Sequence, residues 1–172
     1  WILNLSDRYI LLWYHGETEV GIYGIAARFS AALAVFSNAV YMAYTTFAFD
    51  KQEDSNAQQQ YSRILNAFFF MLGAVCFTVS IFSKEIIFLM TSKAYWSAYL
   101  LLPCILFGQL AYGINTIVGY GISFARKTQY MLIATTCGAG LNIILNFIFI
   151  PEYGMVAAAA TTLISYVLMV TL

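Results

Sequence analysis

Charge is what this sequence has least of. Lys+Arg number 8 and Asp+Glu number 8 among 172 residues, 9% in all with a formal net charge of zero, where a soluble domain carries about 25% charged residues. That balance excludes a basic nucleic-acid surface, and the cations are scattered rather than clustered, so no nucleic acid is expected as a partner. Histidine is nearly absent as well. The single His15 falls in the polar break HGETE, where it reads as a solvated loop residue, and no catalytic triad, metal centre or phosphate loop can be assembled from these parts. Cys76, Cys104 and Cys137 lie far apart in apolar runs without CxxC spacing, which excludes a disulfide framework and a zinc site and leaves them as small core hydrophobes. The chain also lacks an initiating methionine and a signal-peptide pattern, and it stops inside the apolar run VLMVTL. It is therefore expected to be a piece of a longer protein.

What the chain does have is apolar length. Hydrophobic residues make up 62% and the mean hydropathy is +0.77, which places it in a membrane. A spanning helix needs about 20 mostly apolar residues, and the pattern predicts an all-α membrane protein with six transmembrane segments at residues 1–14, 20–49, 64–82, 99–124, 130–150 and 155–172. The first is expected to be truncated. The polar linker DKQEDSNAQQQYSR separates the second and third, and SKEIIFLMTSKAYWSA predicts a short interfacial helix with Tyr95 and Trp96 at headgroup depth. Taking the breaks alternately, Lys51, Arg63, Arg126 and Lys127 fall on one side and Lys84 and Lys93 on the other, so the first set is expected to be cytoplasmic and HGETE and PEYG to face outward.

Three charges interrupt this pattern. Asp7 and Arg8 stand inside the first segment and Arg28 inside the second, the two arginines each about ten residues from the intervening turn and so at a similar depth, at 1.5 Å per residue. A charge there costs about 2.5–3.5 kcal/mol on insertion scales and faces a protein interior or a wet cavity. Asn4, Asp7 and Arg8 follow i, i+3, i+4 spacing, and the group is expected to act together, with Asp7 paired to one arginine. Two neutral stripes accompany it: Gln109, Tyr112, Thr116, Tyr120 and Ser123, then Thr135, Asn142 and Asn146. Such stripes either line an aqueous cavity or join helices by hydrogen bonds. Gly21, Gly24, Ala27, Ala31, Gly138, Gly140 and residues 157–160 read as close-packing positions, and Phe68, Phe69 and Phe70 as lipid-facing.

Three stretches, WILNLSDRYILLWYHGETEVGIYGIAARFS, GINTIVGYGISFARKTQY and LNIILNFIFIPEYGMVAAAATTLISY, resemble the polysaccharide-biosynthesis flippases of the multidrug/oligosaccharidyl-lipid/polysaccharide exporter superfamily. In these an SDRYIL-like helix precedes a G-x-x-E-V-G-x-Y hairpin, and a late helix pair is joined by an I-P-x-Y-G turn; Ala157 stands where glycine is common. The resemblance spans nearly the whole chain and implies that residues 1–172 form the C-terminal six-helix bundle of a two-bundle fold. It further implies a non-enzymatic role: alternating-access translocation of undecaprenyl-pyrophosphate-linked oligosaccharide repeat units across the bacterial inner membrane, for O-antigen or lipopolysaccharide export. The partners it implies are the lipid-linked oligosaccharide, membrane lipids and the N-terminal bundle of the same chain. No catalytic residue and no metal is expected, and coupling to a proton or sodium gradient stays open. The lumen candidates are Arg8, Arg28, Asp7, Asn4, Gln109, Tyr112, Thr116 and Asn142. A multidrug or cation antiporter of the same superfamily would favour acidic and aromatic walls, and a non-transporting assembly subunit would use the polar residues only to join helices.

Overall fold

The computed structural model describes the backbone of residues 2–50, 57–124 and 128–172; the side chains of residues 2–4, 43–50, 57, 58, 61, 120, 121, 123 and 124 are not among those described. Its elements are α1 (Ile2–His15), α2 (Glu17–Asp50), α3 (Ala57–Ile81), α4 (Ser83–Met90), a 3-10 helix (Lys93–Leu100), α5 (Leu102–Phe124) and α6 (Thr128–Thr171). Helices satisfy every backbone group within the segment, which is what a bilayer demands of a chain this apolar. Four of them are long and apolar enough to cross a membrane: Glu17–Met42, Ser62–Ile81, Leu102–Gly119 and Thr128–Thr171. Lys51, Arg126 and Lys127, three of the four cations in the larger predicted set, lie outside the described residues.

The two late segments expected from the sequence occur here as the arms of α6. The helix is broken at Gly154, whose φ of 55° and ψ of −135° are non-helical, three residues after Pro151. The arms fold back on one another. Asn142 hydrogen-bonds to Thr162, and a Cβ on Gly138 would overlap the Met169 side chain, although a straight helix would hold the first pair about 30 Å apart. Gly138 and the buried Ala157, Ala158 and Ala159 therefore serve the close approach expected of them.

A break of this kind leaves a carbonyl without its partner on one side and amides without theirs on the other. Both are met from the α1–α2 turn, where Gly16 reverses the chain at φ 78°. His15 Nε2 lies 2.8 Å from Ile150 O, and Glu19 Oε2 accepts a 2.8 Å hydrogen bond from Met155 N. His15 Nδ1 and Glu19 Oε1 are 3.3 Å apart. An imidazole at the end of one arm and a carboxylate at the start of the other suit the helix dipoles. His15 is thus a half-buried cap, not the solvated loop residue its setting suggested. Gly154 permits the arrangement twice over, since its φ suits only glycine and a Cβ there would run into the Glu19 carboxylate.

Tyr95 of the 3-10 helix packs beside Gly21, so HGETE, PEYG and the predicted interfacial segment share one end of the bundle. That segment carries a Phe88–Trp96 stack at 4.1 Å, with Lys84 and Lys93 over the two rings. Helix α5 is central and packs on α2, α3 and α6, burying Leu102, Leu106 and Leu110. Phe68 is buried, its ring edge 3.2 Å from where a Cβ on Gly113 would be, so only Phe69 and Phe70 of the aromatic run are exposed. Cys137 is exposed too, and of the three cysteines only Cys76 is a fully buried core residue.

Loss of the cap should be measurable as stability. Glu19→Ala is expected to cost about 0.5–2 kcal/mol, the range for loss of an N-cap, and Gly154→Ala about 1–3 kcal/mol from backbone strain. Thermal unfolding of the purified protein in detergent measures both; wild-type stability in Gly154→Ala would contradict the hairpin geometry.

Candidate functional site

Successive residues on a helix point about 100° apart, and on α1 this separates the acid from the base. Asp7 turns toward α6 and is fully buried. Its Oδ2 accepts hydrogen bonds from Tyr23 Oη at 3.0 Å and Thr162 Oγ1 at 2.6 Å, and its Oδ1 from Asn146 Nδ2 at 2.6 Å. Asn146 also donates to Asn142 Oδ1 at 3.1 Å and accepts from Thr161 Oγ1. Ser6 Oγ donates to Asn142 Oδ1 at 3.1 Å. One carboxylate thus ties α1, α2 and both arms of α6 together through neutral side chains.

Among the described residues no cation pairs with Asp7. The expected Asp7–arginine salt bridge is therefore replaced by a shell of amides and hydroxyls. Asn142 and Asn146 belong to that buried shell, because i, i+4 spacing on the first arm of α6 aims both at the Thr161–Thr162 pair on the second. Thr135, the third member of the stripe, is exposed.

Arg8 turns the other way. It lines two adjoining cavities of about 310 and 470 Å³ that share Arg8, Ala27 and Ala31. Arg28 lines the larger one, together with Gly21, Gly24 and Tyr95. Gln109 lines the smaller and accepts a 3.2 Å hydrogen bond from Ser30 Oγ. The predicted meeting of Arg8 and Arg28 thus occurs, without Asp7. Neither guanidinium makes an ion pair among the described residues.

The small residues of α2 explain the space. Nothing lies within 4 Å of a Cβ built on Gly24, so Gly24, with Ala27 and Ala31, leaves the cavity open, whereas Gly21 takes the contact with Tyr95. Tyr23 and Thr162 also line the smaller cavity, and each bonds Asp7. The sequence reading missed both; an aromatic hydroxyl or threonine at depth, facing a helix with a carboxylate, is the signal that was available.

Tyr112 and Thr116 lie elsewhere. Tyr112 packs on Tyr166 with ring centroids 5.2 Å apart and is 42% exposed, and Thr116 Oγ1 donates back to Tyr112 O at 2.9 Å. Neither lines the arginine cavities. The side chains of Asn4, Tyr120 and Ser123 lie outside the described residues.

Arg8 and Arg28 thus line a cavity beside a buried carboxylate held by neutral side chains, in a helical chain with several helices long and apolar enough to cross a membrane. The chain belongs to the MatE family, whose model matches residues 1–148, within the multidrug/oligosaccharidyl-lipid/polysaccharide exporter superfamily. It is 28% identical over 155 residues to the probable low-salt glycan biosynthesis flippase Agl15 of Haloferax volcanii, an alignment covering 87% of this chain and 32% of that relative. The chain thus spans about a third of the relative's length. No solved structure matches it.

The two faces of α1 predict opposite mutational behaviour. Asp7→Ala leaves the buried Tyr23 hydroxyl and one N–H of Asn146 without an acceptor, each at about 1–3 kcal/mol, while Thr162 keeps Ala158 O at 2.9 Å; Arg8→Ala removes a cavity-facing group and should change stability by no more than about 0.5 kcal/mol. Unfolding of the two variants in detergent measures this; equal losses would restore the ion pair.

Proposed function

We propose that this chain is the C-terminal bundle of a flippase that carries a lipid-linked oligosaccharide across the membrane. The observation that carries the reading is the convergence of Arg8 and Arg28 on one cavity with no carboxylate among the described residues paired to either. Guanidinium groups present paired N–H donors that match phosphate or carboxylate oxygens. The substrate class is accordingly a glycan on a polyprenyl pyrophosphate, undecaprenyl pyrophosphate if the membrane is a bacterial inner membrane. A partner bundle supplies the opposite wall, and rocking of the two exposes the cavity to each side in turn, with the arginines holding the anionic head. In this reading HGETE, PEYG and the 3-10 helix face outward. A carrier of cationic drugs is disfavoured by the same two arginines. The family membership and the glycan flippase among the relatives support the reading.

The buried carboxylate supplies the coupling. The oxygens of Asp7, Asn142, Asn146, Thr161 and Thr162 suit a proton or a sodium ion, which would neutralise a charge that is costly at this depth. A proton fits the present hydrogen bonds, because the hydroxyls of Tyr23 and Thr162 can reverse; sodium requires the Asn146 amide to turn its oxygen inward. Any change in the bonds made by Asp7 passes to Tyr23 and Thr162, which also wall the cavity. Asp7 is thereby linked to Arg8 without touching it.

Arg8→Ala or Arg28→Ala in the full-length protein should impair glycan display at the cell surface, normalised to membrane-inserted protein, by about tenfold or more, the loss expected when a charge-assisted hydrogen bond worth about 1.5–3 kcal/mol is removed. Lysine at either position should restore part of it. Normal export per molecule in both alanine variants would leave the arginines without a transport role.

A further inference from the structure

The arginine cavity does not end at Arg28. Ile25 and Arg28 are shared with a third cavity of about 300 Å³, lined on its far side by Met90 and Thr91 at the end of α4. Phe29 and Ala32 connect that space to a fourth of about 330 Å³, where α2 faces Val75 and Val79 of α3. Along α2 the lining residues Ile25, Phe29, Ala32 and Phe36 step by four, three and four, which places them on one helix face. The stripe is about 16 Å long at 1.5 Å per residue.

Chemically the groove is one-sided. Arg28 is the one charged residue lining it, and it stands at the end that opens into the arginine cavity. The Thr91 hydroxyl is already committed to Ile87 O at 2.7 Å. Beyond Phe29 every lining residue is apolar, and Phe36, Val75 and Met90 stay 43%, 41% and 68% exposed along its rim. A path traced by shared lining residues therefore runs from the cavity of Arg8 and Arg28 into an apolar groove open along its side.

We infer that this slot between α2, α3 and α4 holds the first part of the polyprenyl chain of the lipid-linked substrate while its pyrophosphate lies at Arg8 and Arg28. The inference rests on the flippase reading and adds a specified place for the tail. Charge complementarity selects the occupant: an anionic head is needed at the arginine end, and a slot one helix face wide accepts a single chain more readily than the two of a phospholipid. Gripping the chain would let the carrier distinguish a polyprenyl pyrophosphate from a water-soluble pyrophosphate of the same charge.

The test uses the full-length protein in phospholipid vesicles with a polyprenyl diphosphate bearing a diazirine in its second or third isoprene unit. Crosslinked residues are mapped by peptide mass spectrometry, and a diazirine-bearing phosphatidylglycerol is run in parallel. The expected result is polyprenyl label on Phe29, Ala32, Phe36, Val75 or Val79, competed by unlabelled polyprenyl diphosphate and poorly by inorganic pyrophosphate. Ala32→Trp should reduce the label about tenfold, equivalent to about 1.4 kcal/mol of binding, with the wild-type map deciding the matter if that variant does not fold. Four outcomes overturn the inference. Arg8-dependent label that maps away from the groove leaves the flippase reading standing without this tail site. Equal labelling by phosphatidylglycerol assigns the groove to bulk lipid. A groove unlabelled by either probe is covered by the rest of the protein. Failure of the protein to bind polyprenyl diphosphate at all removes the flippase reading itself, and the inference with it.

Discussion

A carboxylate in an apolar bundle has to be satisfied by something, and the way Asp7 is satisfied organises this molecule. Three donors from two other elements converge on it, and each is costly to leave unmade where water is excluded. Their convergence fixes the rotation of α1, the position of Tyr23 on α2 and the register of the α6 arms against each other. The capped break at Gly154 makes that register possible, because it returns Thr161 and Thr162 to the level of Asn142 and Asn146.

The rotation of α1 in turn decides where Arg8 goes. With Asp7 committed to α6, the next residue points toward α2 and α5, and the glycines and alanines of α2 leave it room. The cavity is the consequence of a polar knot on one side of α1 and missing side chains on the other. Tyr23 and Thr162 belong to both, so a change in the protonation or ion occupancy of the knot reaches the cavity wall through two side chains. This is the physical content of coupling in the proposed carrier.

Much of this was legible from residue order. The all-helical character, the shared end of HGETE and PEYG, and the common cavity of Arg8 and Arg28 follow from hydropathy, alternation and depth counting, whereas of the six spans expected, four helices among the described residues are long and apolar enough to cross a membrane. What misled was placing Asp7, Arg8 and Arg28 in one group: i and i+1 on a helix do not face each other, so Asp7 and Arg8 were poorly placed to meet the same neighbour. Small residues were ambiguous for a different reason. Gly138 and Gly24 look alike in sequence, yet one meets Met169 and the other open space, a distinction set by what lies across the interface. His15 and Glu19 were hidden because their partners are the backbone groups released by the break at Gly154, which do not exist until α6 folds back.

The central claim is that α1 separates a wet cationic face from a dry acidic one. Single cysteines at Arg8→Cys, Ala31→Cys and Asn142→Cys, in the full-length protein lacking Cys76, Cys104 and Cys137, can be exposed to a small charged thiol reagent in intact membranes. The account predicts modification at positions 8 and 31 and protection at 142. Rapid modification at 142, or none at 8 and 31, would contradict it.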